Sequence, residues 1–461
     1  MMHLPLINLQ LGWPSRELLP ASALAQAATD SMADYELACS ALLYGPGLGN
    51  TPLRQAVAQW LSEVYAPAAG DIPVERISIS GGASQNVANL LQVFTDAGFT
   101  RHVWMIEPVY HLASKIFEDA GFQGKLRGVP EDAEGCDVGY LRARLLDVER
   151  ERQRSLLRTG EDDRPQFKTG ALYPKIYKHV IYCVPTFSNP SAKTMSLRRR
   201  EQLLCLAREF DALIITDDCY DVLRWPKNQG VSSHELGPLP PRLVDLDRTL
   251  PGGSEWGNTV SNGTFSKLVG PGIRVGWMES TSLFALGLVR VGSTSSGGNP
   301  SQFTSTLVAQ LLQKNILQDH IQQVLIPTYI GRYHSLMNAI EKYLVPLEAK
   351  VDIGESFAVT LQRNTQTIQT EEAGGFFTYI TLPSDLPDTK VLAARALAEY
   401  NLKLAFGELF QVRGDGESGK RPGREFDHSL RLCWAWEENH RLEAGIRRLA
   451  DLILKIRRER Q

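Results

Sequence analysis

The sequence has little of what usually declares a specialised class. Its six cysteines (Cys39, Cys136, Cys183, Cys205, Cys219, Cys433) are scattered, with no C-x-x-C pair and no Cys/His ligand spacing, which argues against a disulfide scaffold and a structural zinc site. None of the nine histidines falls in an H-E-x-x-H frame, so no metal is expected. No run approaches the ~20 apolar residues of a membrane span, and Met1 to Pro14 lacks the basic segment and apolar stretch of a secretory leader. Neither charge dominates: 49 Lys and Arg against 52 Asp and Glu leave a formal −3, which speaks against a nucleic-acid binder with a globally basic face. The final Arg-Glu-Arg-Gln matches neither the S-K-L nor the K-D-E-L address. A reducing cytoplasm is the expected compartment, with neither membrane nor nucleic acid as partner.

What is present is the composition of a folded protein. Apolar residues make up 43% of 461, with 38 Gly and 25 Pro, close to ordinary globular usage. That length allows one large body with a smaller lobe.

Hydrophobic periodicity gives an alternating pattern. Thr51 to Tyr65 places Leu53, Val57, Trp60, Leu61 and Val64 on one helical stripe, opened by Thr51 and Pro52. Arg76 to Ser80 reads as a strand and Gln85 to Thr95 as a helix; His102 to Ile106 and Tyr110 to Ala120 repeat the unit. His179 to Cys183 (strand), Leu197 to Phe210 (helix) and Ala212 to Thr216 (strand) continue it. Such alternation predicts βαβ crossovers and a mainly parallel sheet, an α/β fold.

After about residue 325 the texture changes. A long helical segment runs through Tyr343, Phe376 to Leu382 and Ser429 to Trp434 read as strands, and Glu438 to Ile456 as a helix. This predicts a smaller α+β lobe. Three stretches rich in charge, Pro or Gly, 149–170, 226–257 and 413–428, read as surface loops.

The block NGTFSKLVGPGIRVGW, residues 262 to 277, carries the most chemistry. It sets one lysine, Lys267, among the hydroxyls of Thr264 and Ser266, with Arg274 seven positions on. A desolvated lysine lowers its pKa and can form a Schiff base, and hydroxyls beside an arginine suit a phosphate; together they suggest pyridoxal phosphate. Alone, the block also reads as a surface lysine in a Ser-rich turn. Upstream, the strand 213–216 ends in Asp217-Asp218-Cys219-Tyr220, at the carboxyl end where open α/β sheets bind ligands. A carboxylate there can keep a pyridine nitrogen protonated, and Tyr220 can reach a ring hydroxyl; a helix N-cap is the plainer alternative. The run Gly81-Gly82-Ala83-Ser84-Gln85 joins a strand to a helix and can offer N–H groups to a phosphate, or it is only a tight turn. Tyr110 can lie on a planar ring, though most such aromatics are core. Asn189-Pro190 is a weaker mark.

In order and spacing these blocks resemble the class I and II aminotransferases, the fold type I pyridoxal-phosphate enzymes. The nearest branch contains the 2-aminoadipate and kynurenine aminotransferases, and within it the chain is most similar to fungal members. The likeness runs from Ile7-Asn8-Leu9 and Gly12-x-Pro14 to Gly445-Ile446-Arg447-Arg448-Leu449. It implies a large domain (41–325) with a seven-stranded, mainly parallel sheet, a C-terminal small domain (326–461) and an N-terminal segment (1–40) serving the small domain and the active site. It further implies that Lys267 is the Schiff-base lysine and proton shuttle. Asp217 would pair with the pyridine nitrogen, while Tyr220 and Asn189 would hold the ring hydroxyl. Tyr110 would stack on the ring, and Thr264, Ser266, Arg274 and the backbone at Ala83 and Ser84 would bind the phosphate. Arg431 would clamp the substrate α-carboxylate, with Gly12 and Asn189 beside it. Tyr44 would reach the phosphate of the neighbouring subunit, which implies a homodimer.

The reaction so implied is a ping-pong transfer from an L-amino acid, aromatic or 2-aminoadipate-like, to a 2-oxo acid such as 2-oxoglutarate. Elimination, replacement or condensation on the same cofactor, and a non-catalytic sensor on the same fold, are the alternatives. Two positions depart from the family pattern. Ser191-Ala192 stands where Thr-Gly is usual, so the loop after Asn189 is expected to differ in shape, and Ala83 replaces a frequent Ser and removes one phosphate ligand.

Overall fold

The computed structural model describes residues 4–227, 236, 239–352, 358–363, 366–418 and 426–460. Its centre is an eight-stranded sheet. In spatial order the strands are Ile77–Ser80, Gly276–Glu279, Thr259–Thr264, Ala212–Asp217, His179–Cys183, Val103–Glu107, Leu126–Asp132 and Gly135–Cys136. The five strands from Thr259–Thr264 to Leu126–Asp132 are mutually parallel. Gly276–Glu279 runs antiparallel to both its neighbours. Seven strands were expected; the eighth is a two-residue strand that folds back on Leu126–Asp132.

Strand alternation sorts the core onto two faces. Val103, Met105, Leu213 and Ile215 pack with Val87, Leu90 and Leu91 of the helix Ala83–Phe94. Trp104, Ile106, Ile181 and Ile214 face the other way, toward Leu203, Leu204 and Leu206 of the helix Leu197–Glu209. With both faces covered, these strands read as apolar runs, as parallel sheets do.

The C-terminal part carries a four-stranded antiparallel sheet, in the order Lys350–Val351, Phe377–Thr381, Ser429–Cys433, Ala405–Phe406. The helices Ile326–Tyr343 and Asn439–Glu459 contribute Leu336, Ile340, Ile446 and Leu449 to the core that includes this sheet's Ile380, Leu430 and Leu432. Ile7–Asn8 pairs in parallel with Leu402–Lys403, which ties this N-terminal segment to the C-terminal part.

Several element expectations need correction. Residues 149–159 form the second half of a 22-residue helix, Val138–Thr159, which closes at Gly160 with φ 71°. Only its Leu141 and Leu145 are buried, so the helix carries too narrow an apolar stripe to be told from a charged loop. Within 226–257 a short helix, Leu243–Thr249, is present, and residues 228–235 and 237–238 lie outside the described residues. Of 413–428, residues 419–425 lie outside them, and Phe426–His428 make one 3-10 turn. The expected helix from Tyr110 is His111–Phe117, with Tyr110 as its N-cap, followed by a wider turn, Glu118–Phe122, in which Gly121 has φ 94°.

Candidate active site

Twelve of the thirteen residues singled out from the sequence line one cavity of about 350 Å³ at the carboxyl ends of the parallel strands: Gly12, Ala83, Ser84, Tyr110, Asn189, Asp217, Tyr220, Thr264, Ser266, Lys267, Arg274 and Arg431. Tyr44 is the exception. It is 88% exposed, among the likewise exposed Tyr35, Leu42 and Leu43.

The turn Phe265–Lys267 directly follows the strand Thr259–Thr264. Thr264 caps it, accepting from the Ser266 N–H at 3.2 Å, and so delivers Lys267 at the strand end. The Lys267 ammonium donates to the Gly12 carbonyl at 2.8 Å and lies 5.4 Å from the centroid of the Phe376 ring. Burial lowers its pKa, partly opposed by the charge of Asp217. Gly12 permits this approach by having no side chain, because a Cβ there would lie 2.5 Å from Phe377 Cζ.

Asp217 ends the strand Ala212–Asp217. Its parity matches Leu213 and Ile215, so it faces the same side as the helix Ala83–Phe94. Tyr182 donates its hydroxyl to Oδ2 at 2.9 Å, whereas Oδ1 is buried with no partner among the described residues. Burial raises the carboxyl from 3.8 to about 6, against the Tyr182 hydrogen bond and Lys267.

At the other end of the cavity, the helix Ala83–Phe94 begins at Gly82 (φ 105°) without a side-chain cap, leaving its first N–H groups open to an anion. Arg274 stands over this turn: a Cβ on Gly82 would lie 3.0 Å from its Nη2. The Thr264 and Ser266 hydroxyls are 2.9 Å apart beside it. Below, Asn86 donates to Asn262 Oδ1 at 2.8 Å, and Asn262 to the Ala83 carbonyl at 3.3 Å.

Arg431 comes from the strand Ser429–Cys433. Its Nη1 donates to Asn189 Oδ1 at 2.7 Å and its Nη2 to the Gln10 carbonyl at 2.6 Å, while the guanidinium lies 4.1 Å over the Phe377 ring. Its Nε is buried with no partner among the described residues. Asn189, expected at the ring hydroxyl, thus also supports Arg431 through its side-chain oxygen. In the loop after it, Ala192 holds φ 62°, a left-handed conformation that glycine adopts more readily. Tyr110 lines the wall, its hydroxyl pushed up to about 12 by burial and the charge of Asp217.

Sequence reasoning missed several wall residues. Tyr182 was visible only as part of a buried strand. His111, whose pKa burial and Arg431 lower to about 4, follows Tyr110 on the cavity wall. Gln10, Trp13 and Lys403 also border the cavity. Trp13 is 54% exposed and meets Trp436 edge-on, with centroids 6.4 Å apart.

The donor set fits pyridoxal phosphate. A protonated pyridine nitrogen has an unpartnered carboxylate oxygen to meet, a phosphate has an open helix end with Arg274 and two hydroxyls, and an aldehyde has the Lys267 amine. A parallel α/β sheet with such a cavity at its strand ends defines a cofactor-dependent transferase of amino-acid chemistry.

The family model for aminotransferase class I and II matches residues 5–400, and the chain belongs to that family of pyridoxal-phosphate-dependent aminotransferases. It is 34% identical over 426 residues to the uncharacterized protein YER152C of Saccharomyces cerevisiae, covering 89% of each chain. It is 26% identical to aromatic-amino-acid aminotransferase 1 of Thermococcus litoralis, over 97% of this chain and 88% of the relative. The crystal structure of a multiple substrate aminotransferase from Thermococcus profundus superposes with a TM-score of 0.73 at 25% identity, covering 98% of this chain and 92% of that one. Among the described residues no helix is long and apolar enough to cross a membrane.

Proposed function

We propose that the chain moves the amino group of an L-amino acid, aromatic or 2-aminoadipate-like, to a 2-oxo acid such as 2-oxoglutarate, in two alternating half-reactions at the cavity described above. The observation that carries this is the meeting, in one cavity, of the Lys267 amine, the unpartnered Asp217 oxygen and the Arg431 guanidinium. Pyridoxal phosphate supplies an aldehyde that binds amines and a ring that takes up an electron pair. Lys267 would hold the cofactor through its aldehyde carbon and would carry the substrate's α-proton. Its depressed pKa leaves more of the amine free to accept that proton.

Asp217 would keep the ring nitrogen protonated and so make the ring a better electron acceptor. Tyr220 and Asn189 would hold the ring hydroxyl, and Tyr110 would stack on the ring. Ala83, Ser84, Thr264, Ser266 and Arg274 would hold the phosphate. Arg431, aided by Asn189 and the close backbone at Gly12, orients the α-carboxylate so that the Cα–H bond points at Lys267. Apolar walls at Leu11, Trp13, Leu112 and Ile116 suit an aromatic side chain.

In this reading residues 41–325 bind the cofactor, while 1–40 and 326–461 close the substrate side. Tyr44 and the apolar side chains around it are covered by a second copy, with Tyr44 reaching the neighbouring phosphate. The free thiols of Cys136, Cys183 and Cys433, buried in the core, suit a reducing cytoplasm. The test is the visible spectrum of the purified holoenzyme as single L-amino acids are added without an oxo acid. Loss of the lysine-bound cofactor band with stoichiometric oxo acid is expected, and Lys267→Ala should never form that band. Ammonia release with the band unchanged would transfer the assignment to elimination chemistry.

A further inference from the structure

The cavity holds four cations, Lys267, Arg274, Arg431 and Lys403, and one carboxylate, Asp217. In the function proposed above, Lys267 engages the cofactor, Arg274 the phosphate and Arg431 the α-carboxylate. Lys403 has no task there. It is exposed, and its side chain has no hydrogen bond or ion pair among the described residues.

Register places it. Leu402 and Leu404 are buried in the core on either side of it, so Lys403 faces the opposite way. Ala405, two residues on, lies in the neighbouring sheet and pairs with Arg431. Leu9 runs between Lys403 and the Arg431 strand, donating its N–H to the Lys403 carbonyl at 3.0 Å and accepting from the Cys433 N–H at 2.9 Å, and Lys403 and Arg431 border the same cavity from its two sides. Lys403 pairs with Asn8 of that same segment, whose Oδ1 accepts from the Gln10 and Leu11 N–H groups, each at 3.1 Å. That fixes the amide and leaves its NH2 free to donate.

We propose that Lys403, with the Asn8 amide beside it, binds the second carboxylate of a dicarboxylic amino or 2-oxo acid whose α-carboxylate sits on Arg431. Arg431 and Lys403 border one cavity of about 350 Å³, which has room for a short methylene chain between the two carboxylates. The apolar wall at Trp13 then takes the neutral member of a substrate pair and Lys403 the acidic one. The inference rests on Arg431 as the α-carboxylate site.

The test uses the holoenzyme and Lys403→Met, which keeps length and removes charge. The ratio of KM for 2-oxoglutarate to KM for phenylpyruvate should rise about ten-fold or more, the size of one lost charge-assisted hydrogen bond, and Lys403→Arg should restore most of it. Glutarate, which has two carboxylates and no reacting group, should bind the wild type at least about ten-fold more tightly than Lys403→Met in calorimetric titration. An unchanged KM ratio together with unchanged glutarate affinity would overturn the assignment. Failure of the wild type to transaminate any amino acid would sink the aminotransferase reading instead, and the glutarate titration would still decide the role of Lys403.

Discussion

Asp217→Asn offers a test that separates the cost of this site from its use. In the cofactor-free protein Asp217 is buried, and its carboxyl is raised from 3.8 to about 6. The native state therefore binds a proton more tightly than the unfolded chain, and stability falls as pH rises through that window. Above pH 6 the full penalty for holding the charge is present, about 3 kcal/mol at 1.36 kcal/mol per unit. Asparagine keeps the shape and the acceptor for the Tyr182 hydroxyl while removing the charge. Cofactor-free Asp217→Asn should accordingly be more stable than the wild type by about 1–3 kcal/mol at pH 8, with the gain shrinking as pH falls toward 4, where the wild-type carboxyl is itself neutral. Urea unfolding followed by tryptophan fluorescence at a series of pH values measures the difference. With cofactor the order should reverse, because the variant cannot pair with the ring nitrogen: affinity for pyridoxal phosphate should drop by about 100-fold, the value of a charge-assisted hydrogen bond at the strong end of its range. A variant less stable than the wild type at every pH, or a difference that does not change with pH, would refute the reasoning.

Arg431→Ala should raise KM for both the amino acid and the oxo acid by roughly ten- to 100-fold, and Arg431→Lys should recover little of it, since an ammonium cannot reproduce the planar fork; steady-state kinetics with both substrates decides. Tyr182→Phe removes the 2.9 Å hydrogen bond that holds the Asp217 pKa down, so cofactor binding should weaken a few-fold and its dependence on Asp217 ionisation should move to higher pH; a midpoint that stays or falls would contradict this. Tyr44→Phe should speed cofactor loss in gel filtration, and hybrids of a Tyr44→Phe chain with a Lys267→Ala chain should show whether the two residues serve different subunits.

The fold was legible where burial is one-sided or complete. The helix Thr51–Tyr65 and the strands around 103, 180 and 213 carry their apolar residues at the right period, and an alternating α/β body followed. Elements whose sequence serves chemistry were hidden. The strand Thr259–Thr264 reads TVSNGT, one aliphatic among polar residues, because Asn262 is spent on Asn86 and on the Ala83 carbonyl, and Thr264 on Ser266. The site was legible where a residue type is itself unusual for its place, as Lys267 is at a strand end. Its supporting partners were not: Tyr182 reaches Asp217 only because Tyr182 sits level with Ile215 in the parallel register, two residues before Asp217, and register is not written in either strand alone.

The same register explains why Asp217, the aspartate singled out from the sequence, borders the cavity while Asp218 and Asp221 do not. Strand parity puts Asp217 with Leu213 and Ile215, on the side of the helix whose open N-terminus would receive the phosphate. Asp218 is taken from behind, accepting from the Thr216 hydroxyl at 2.7 Å and from the Ser261 hydroxyl, and Asp221 accepts from the Tyr65 hydroxyl at 2.9 Å. Neither borders the cavity. The Arg242 guanidinium lies 4.0 Å over the Tyr65 ring and joins Asp245 at 2.9 Å and Glu279 at 2.7 Å, so its charge counters Asp218. Burial and the charge of Asp218 push the Asp221 carboxyl up to about 7. Three aspartates within five residues thus leave one anion at the cavity, because the other two are turned to the Thr216 and Ser261 hydroxyls and to a tyrosine that the sequence places far away.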